Sequence, residues 1–419
     1  MLRNYIKIAW KVLGRNKFFT FVSLFGISFT LAVLIIVIAF LNQILGSSYP
    51  ETNSNKCLYI NRVIMDHTNG NNMMSSHSSF HLLKDYIEKL KTPETVAIAS
   101  NIVQTNTFVG NRKLRLGLRY TDADFWKVFE FEFLSGSAYH DNHVTKGEYV
   151  AVISNSAQEA YFGEEADVIG KTITTDNTNY RVIGVVRDVA DYQMNSNADI
   201  YVPYSTSKDD LKARGYLGSY TGIILAKSPA DFPAIKAELK EMIAKIPIPK
   251  DENYNRLRTW AQTRGEYFAA ALLPGNRTDD DDPPVGILYL LIAGAMLLFM
   301  MLPTLNLINI NTSRIMERAS EIGIRKAFGA STSTLTVQFI IENIILTFIG
   351  GAIGLIIAFV ALNIIESSGI IPHAELNINY KVFLAAIALC LIFGFLSGVL
   401  PAFRMSRLQV VQAIKGGEG

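Results

Sequence analysis

Cysteine is nearly missing from this chain. Its 419 residues include two, Cys57 in a polar stretch and Cys390 inside an apolar run. Two cysteines so far apart cannot build a disulfide scaffold, and both are expected to be free thiols with no metal or redox site built on them. Charge is scarce as well. Asp, Glu, Lys and Arg make up 18% of the residues, against about 25% in soluble domains. With 49% hydrophobic residues and a positive mean hydropathy, the chain does not read as an ordinary cytosolic enzyme. The same apolar content excludes a disordered chain. The net charge of +2 gives no ground for a nucleic-acid partner.

What is present is apolar and concentrated. Four blocks carry no charge: 18–45, 283–313, 343–365 and 382–403. Each reaches the roughly 20 residues a helix needs to cross about 30 Å of hydrocarbon. Fourteen of residues 22–41 are Leu, Ile, Val or Phe. At about −0.3 to −0.6 kcal/mol each, their insertion gains at most roughly 4–8 kcal/mol. A buried core helix explains one such block but not four. The first block is longer than a signal-peptide core and no A-x-A site follows it, so it reads as an uncleaved signal anchor.

Lys and Arg near the helix ends set the orientation. Arg3, Lys7, Lys11, Arg15, Lys17, Arg314, Arg318, Arg325, Lys326, Arg404, Arg407 and Lys415 flank one side, and Lys56, Arg62, Arg277 and Lys381 the other. The expected layout is a cytoplasmic interfacial helix over 1–17, spans over 18–45, 285–310, 335–365 and 382–403, an outer segment over 46–284, an inner loop over 311–334, a short outer loop over 366–381 and a cytoplasmic tail over 404–419. Both termini then lie in the cytoplasm of a bacterial cell, and the chain is a multi-pass protein of its inner membrane.

The outer segment reads as soluble and mildly acidic, with 26 Lys plus Arg and 31 Asp plus Glu. Ser78 or Ser79 can cap a helix carrying Phe80, Leu83, Ile87 and Leu90 on one face. Asp231 precedes another, with Phe232, Ile235, Leu239, Met242 and Ile246 on one side. Strand-like runs are Tyr149–Ile153, Tyr180–Val186, Ile200–Tyr204 and Thr221–Ala226. This is an α+β pattern, and about 240 residues suffice for two subdomains.

Catalytic signals are weak. His77 and His81 stand at i, i+4, a spacing that binds zinc on a helix, but no nearby Glu gives H-E-x-x-H, and they read as a surface pair. Gly170-Lys171-Thr172 resembles the end of a phosphate loop, but the motif needs glycine where Glu165 stands. It reads as a turn between a helix ending near Phe162 and the next strand. The sequence contains no ATP-binding domain, so no cofactor, metal or catalytic residue is assigned.

Two inner segments carry more information. Arg3, Lys7, Lys11 and Arg15 recur every four residues, with Tyr5, Ile6, Ala9, Trp10 and Leu13 filling the other side. This is an amphipathic helix in the lipid interface, with Trp10 at the headgroup boundary. The inner loop reads Arg314-Ile-Met-Glu317-Arg318-Ala-Ser-Glu321-Ile322-Gly323-Ile324-Arg325-Lys326-Ala-Phe328-Gly329-Ala-Ser331. Glu321 and Arg325 form an i, i+4 pair, Gly329 stops a short helix, and Ser331 caps the next. The residues allow a solvated linker or a docking helix with Ile322, Ile324 and Phe328 at its base. Glu342, near the cytoplasmic end of the third span, reads as a snorkelling end residue or, alternatively, a hinge contact. Small residues recur every four positions, as Gly350, Gly354 and Ala358 on the third span and Gly394 and Gly398 on the fourth, and allow close helix packing within one subunit.

The inner-loop string resembles the E-R-x-x-E-I-G-I-R-x-A-x-G-A signature of MacB-like permeases of ABC transporters, within the FtsX-like superfamily. Gln338-Phe-Ile-Ile-Glu342, Gly350-Gly351-x-x-Gly354 and Pro401-Ala402 with Arg407-Leu408 and Val411-x-Ala413-Ile414 extend the resemblance. A valine at 410 or 411 stands where proline is common. In the outer segment Ala151-Val152-Ile153-Ser154, Tyr161-Phe162-Gly163, Ile169-Gly170-Lys171 and Tyr180–Val185 resemble the family's extracytoplasmic domain. The resemblance implies an α-helical membrane protein with four transmembrane helices and a large α+β extracytoplasmic domain. That domain has a porter-like part and an inserted β-rich subdomain, here about 136–205. It further implies a non-catalytic subunit, with ATP and Mg bound by ABC ATPase subunits on another chain and a second permease half, identical or homologous, beside it. A periplasmic adaptor and an outer-membrane channel are further implied partners, besides membrane lipid. The coupling helix would comprise Arg314, Glu317, Arg318, Glu321, Ile322, Gly323, Ile324, Arg325, Lys326, Phe328 and Gly329. The function implied is mechanotransmission that drives substrate export or release. The alternative is a non-transporting force transmitter acting on a cell-wall hydrolase or a sensor.

Overall fold

A computed structural model describes residues 14–15, 17–68, 72–163, 167–248, 254–273, 284–317, 324, 328–329, 331–370, 372–373 and, in the last apolar block, 384, 385, 388, 391, 392 and 395. The chain divides into two compact units. One takes in 42–288 with 371–375, and the other holds the long helices before and after it.

The helical unit contains α1 (Lys17–Leu45), α8 (Val285–Glu317) and α9 (Thr332–Ser367). Of these, α1 and the Thr336–Ser367 part of α9 are long and apolar enough to cross a membrane, and Val285–Met301 of α8 is a shorter apolar helix. Ser331 caps α9 by accepting the Thr334 N–H at 3.3 Å. Gly350 and Gly354 lie against α1, where a Cβ would stand 2.7 Å from Ile27 Cγ2 and 2.7 Å from the Ser28 carbonyl. Ala358 is fully buried with Ala32 and Ile35 of α1. Glu342 corrects an expectation. A snorkelling carboxylate would reach water, but this one is 5% exposed and accepts from Gln338 Nε2 at 3.0 Å. Gly394 and Gly398 lie outside the described residues.

The larger unit is α+β. Its strands are β1 (Cys57–Ile60), β2 (Val63–His67), β3 (Met73–Ser78), β4 (Thr95–Ser100), β5 (Val103–Val109), β6 (Arg112–Thr121), β7 (Phe133–Gly136), β8 (Val150–Ser154), β9 (Thr172–Thr175), β10 (Thr178–Val186), β11 (Ile200–Pro203), β12 (Leu217–Gly218), β13 (Tyr220–Leu225) and β14 (Tyr254–Thr259). Among the described residues they form one mixed sheet along the path β14-β2-β3-β13-β4-β6-β11-β8-β10-β7, with β1 on β13, β12 on β3, β5 on β6 and β9 on β10. The β11–β6 and β10–β8 pairs are parallel. Both β8 and β11 are buried along their whole length, as parallel strands covered on two faces require. Asp176 and Asn177, both at positive φ, make the two-residue turn between β9 and β10.

Helices of this unit are α2 (Phe80–Asp85), α3 (Phe125–Val128), α4 (Asp141–Lys146), α5 (Asn155–Phe162), α6 (Phe232–Ala244) and α7 (Arg264–Leu272). One core packs Leu82 and Leu83 of α2 and Ile235 and Leu239 of α6 against Leu58, Ile60, Ile98 and Ile224. A second is aromatic, around Phe125, Phe129, Tyr139 and Tyr201, and a third gathers Ala157 of α5 with Ile153, Val182 and Ile200.

The helix expected from Phe80 to Leu90 is shorter than its periodicity suggests. Ser79 caps it through the Leu82 N–H, but Tyr86 leaves the helical conformation and Ile87–Lys89 continues as a 3-10 turn. The capping near Asp231 also differs. Ser228 and Asp231 form a capping box around a 3-10 turn at Pro229–Asp231, and α6 follows.

Candidate functional site: the stem of the large domain

Immediately after α1, residues 46–54 are bound into the large domain by side chains from distant parts of the chain. Glu51 is fully buried. It forms an ion pair with Arg264 and accepts from Ser196 Oγ at 2.7 Å and from Tyr59 Oη at 3.3 Å. Arg264 also donates to the Gly46 carbonyl at 3.1 Å. Arg264 sits at the start of α7, behind the Thr263–Glu266 capping box that fixes that terminus. Burial pulls its guanidinium down to about 10. The pair therefore ties the segment that follows the first apolar helix to the helix that precedes α8.

Tyr49 adds a second tie. Its hydroxyl donates to the Arg187 carbonyl at 3.1 Å, and the Arg187 guanidinium lies 5.0 Å from its ring centroid. Burial pushes the Tyr49 phenol up to about 12, partly offset by the Glu132 N–H that donates to it. Glu130 accepts from Thr52 Oγ1 at 2.7 Å and from Asn53 Nδ2 at 3.2 Å.

The loop between β10 and β11 meets the same stem. Gln43 bonds Tyr192, and Gln193 Nε2 donates to Ser48 Oγ at 2.8 Å. Arg119 of β6 holds this loop from behind. It is 2% exposed and donates to the carbonyls of Met194 (2.7 Å), Asn197 (3.0 Å) and Ser100 (2.7 Å). Its burial likewise lowers the guanidinium, to about 10. The short segment around His373 reaches the same loop and α5, with Nδ1 3.7 Å from Asp188 Oδ2 and Nε2 3.4 Å from Ser156 Oγ of α5. The arrangement anchors residues 46–54 to the rest of the large domain. Buried, multiply bonded charges resist separation because each loses its partner without regaining water.

The residues expected to act at the cytoplasmic side are only partly described. Arg314 and Glu317 lie in the last turns of α8. Ile324 is helical and 54% exposed, Phe328 is 88% exposed, and Gly329 has φ +89. Arg318, Glu321, Ile322, Gly323, Arg325 and Lys326 lie outside the described residues, as do Arg3, Lys7, Trp10 and Lys11. Arg15 is helical and exposed.

Two histidine expectations are corrected. His77 is on β3 and His81 on α2, so they do not share a helix face. They are not a surface pair either, since His81 is 8% exposed, stacks on Tyr216 at 5.9 Å and pairs with Asp85. Gly170-Lys171-Thr172 is a turn: α5 ends at Phe162, Gly170 has φ +85 and β9 begins at Thr172. Among the described residues no group of three or more His, Cys, Asp or Glu is placed to hold a metal ion.

Sequence reasoning missed the stem. Glu51 follows the uncharged block 18–45, and Arg264 stands 213 positions away. The one local signal was that Glu51 is the first charge after that block.

In sequence, a large α+β domain stands between long apolar helices. A family model for the MacB-like periplasmic core domain matches residues 20–242, and one for the FtsX-like permease C-terminal region matches residues 293–410. The chain belongs to the MacB-like, FtsX-like permease family. It is 23% identical over 425 residues to the macrolide export ATP-binding/permease protein MacB of Escherichia coli (strain K12), covering 98% of this chain and 60% of that protein. It is 24% identical over 438 residues to the pyoverdine export ATP-binding/permease protein PvdT of Pseudomonas fluorescens, covering 99% of this chain and 59% of that protein. The chain thus spans about 60% of the length of these curated relatives. Among solved structures it is similar to the periplasmic region of MacB from Actinobacillus actinomycetemcomitans (16% identity, TM-score 0.36, covering 54% of this chain and 96% of that one). It is also similar to the extracellular domain of the ABC-type transporter YknZ from Gram-positive bacteria (15% identity, TM-score 0.36, covering 48% and 98%).

Proposed function

We propose that this chain is the permease subunit of an ABC transporter, coupling ATP hydrolysis by a partner ATPase to movements of the large domain that drive substrate export or release. In this reading the chain crosses the inner membrane four times, at 18–45, 285–310, 335–365 and 382–403, with both termini and the 311–334 loop in the cytoplasm. The large domain at 46–284 is extracytoplasmic, and residues 136–205 are its inserted β-rich part. ATP and Mg belong to the ATPase, and a second permease half completes the membrane unit. An adaptor and an outer-membrane channel would receive the substrate. Neither hydrolysis nor any other covalent step is assigned to this polypeptide.

The observation that carries the reading is Phe328. It is 88% exposed at the connection between α8 and α9. An aromatic ring left bare is what an apolar groove on a partner would accept. Closure of the ATPase pair pushes on this connection, and α8 and α9 carry the displacement. At the other end the stem contacts hold residues 46–54 within the large domain.

The test is co-purification of the full chain with its cognate ATPase. Phe328→Glu is expected to lower the recovered ATPase at least tenfold and Phe328→Leu to retain most of it. Equal recovery with both variants would count against the docking role. Mass spectrometry of the same preparation distinguishes an export assembly, with an adaptor, from a complex with a hydrolase or a sensor.

A further inference from the structure

The loop between β10 and β11 is fastened to residues beside the ends of two apolar helices. At the end of α1, Gln43 bonds Tyr192, and Ser48 Oγ accepts from Gln193 Nε2 at 2.8 Å. Past the end of α9 at Ser367, His373 lies 3.7 Å from Asp188. The first turn of α7 meets the same stem, where Arg264 donates to the Gly46 carbonyl at 3.1 Å. All of these residues belong to the large unit. Length sets their level in a bilayer. The 29 residues of α1, at 1.5 Å each, make a helix about 43 Å long. A bilayer measures about 30 Å across its hydrocarbon and about 40–45 Å with its headgroups. With Lys17 in one headgroup layer, Gln43 and Gly46 stand in the other.

Large apolar side chains are bare at this level. Met194 is 74% exposed on a backbone that is held in place. Its carbonyl accepts from the buried Arg119 at 2.7 Å, and the Ser196 and Asn197 N–H groups donate to the Gln193 carbonyl at 3.1 and 3.0 Å. On α7, Tyr267 is 45% and Leu272 64% exposed. At 3.6 residues per turn both fall within about 80° of Arg264, so they flank the face that binds the stem. A single exposed apolar side chain is ordinary on a protein surface. Three of them, on elements tied to the ends of membrane-crossing helices, call for an apolar neighbour at that depth. Asp191, exposed on the same loop, limits the depth to the headgroup layer and the first carbons below it.

We propose that Met194, Tyr267 and Leu272 form a lipid-contacting foot, seated in the headgroup and upper acyl layer of the phospholipid leaflet that α1 enters. Tyr267 suits that boundary because its ring is apolar and its hydroxyl is wet. Met194 and Leu272 lose water without giving up a hydrogen bond. The inference rests on the reading of the apolar helices as membrane spans. It goes beyond that reading, since spans alone do not require the large domain to touch lipid.

The test is depth-resolved fluorescence quenching of the full chain in nanodiscs of phosphatidylcholine with phosphatidylglycerol. Cys390→Ala provides the background. Cys57 stays, because it is fully buried and burial pushes its thiol up to about 12, which keeps it from reacting. Met194→Cys, Tyr267→Cys and Leu272→Cys each receive a nitrobenzoxadiazole label. Phe29→Cys, at an exposed position on α1, reports the span. Phe108→Cys reports the domain away from the foot, since Phe108 is exposed and stands opposite Lys113, about 20 Å along β6 from Arg119. A nitroxide on the lipid headgroup should quench the labels at 194, 267 and 272 at least threefold more than the label at 108. A nitroxide midway along the acyl chain should quench the label at 29. Quenching at 29 with none above the level of 108 at the three foot positions overturns the foot and leaves the spans standing. Loss of quenching at 29 as well sinks the span reading and the foot with it. Quenching at 194 without 267 and 272 removes α7 from the foot. A label at 194 reached by neither a lipid nor a soluble nitroxide is covered by protein, and that result overturns the lipid assignment.

Discussion

The Arg264 guanidinium meets the Glu51 carboxylate at a position where Glu51 has no solvent exposure. Removing either partner leaves the other buried and uncompensated. Glu51→Gln or Arg264→Ala is expected to cost about 3–5 kcal/mol. The measurement is the unfolding midpoint of the large domain in the full chain. The double change Glu51→Met with Arg264→Met should recover a large part of that loss, because no lone charge remains.

Asp122 gives the large domain a pH dependence. Burial raises its carboxyl from 3.8 to about 8, against the opposing pull of the Ile98 and Phe125 N–H groups that donate to it at 2.8 and 2.9 Å. The folded state therefore holds this proton more tightly than the unfolded chain. Stability from this group is complete below pH 3.8, falls as pH rises, and is lost above about 8. Thermal unfolding across that interval should show the decline in the wild type and a flatter profile in Asp122→Asn. That variant gives up one acceptor at a cost of about 1–3 kcal/mol.

Neighbouring glycines on α9 should respond in opposite ways. At Gly354 a Cβ would meet the Ser28 carbonyl at 2.7 Å and Leu31 Cβ at 3.0 Å, whereas at Gly351 its nearest contact is Leu31 Cδ1 at 3.8 Å. Gly354→Ala should force α1 and α9 apart and cost about 1–3 kcal/mol. Gly351→Ala adds a methyl in ordinary contact and should be neutral or slightly stabilising, since alanine is the better helix former. Unfolding midpoints in detergent distinguish the two.

The proposed coupling segment makes a prediction that leaves the large domain alone. Glu321→Lys reverses the acid that the sequence sets at i, i+4 from Arg325, and Gly323→Trp adds bulk within the proposed coupling helix. Each is expected to reduce ATPase association and coupled ATP hydrolysis together, with the unfolding midpoint of the large domain unchanged. Unchanged association and unchanged coupled activity in both variants would remove the segment from the mechanism.

Much of the fold was legible because it rests on short-range patterns. The run at Tyr180–Val186 and the apolar run ending at Ile153 carry strand composition, and they became β10 and β8. Ser79 and Ser331 cap helices because their hydroxyls sit three residues before an N–H that needs an acceptor. The Phe80–Leu90 helix was read too long. Its apolar period continues through Ile87 and Leu90, but periodicity reports which side chains are buried and not whether the backbone stays helical. The His77–His81 pair failed for the same reason, since a spacing of four places two rings on one face only if the backbone between them is helix.

From the amino-acid order alone follow the apolar blocks, the α+β character of the intervening domain, the turn at Gly170 and the inner-loop string that marks the family, because each depends on residues a few positions apart. The tertiary structure alone decided the sheet path, the burial of Arg119 and Glu342, and the meeting of Glu51 with Arg264. Those depend on which distant segments become neighbours. A charge carries no local mark of the partner that will neutralise it once water has been excluded around both.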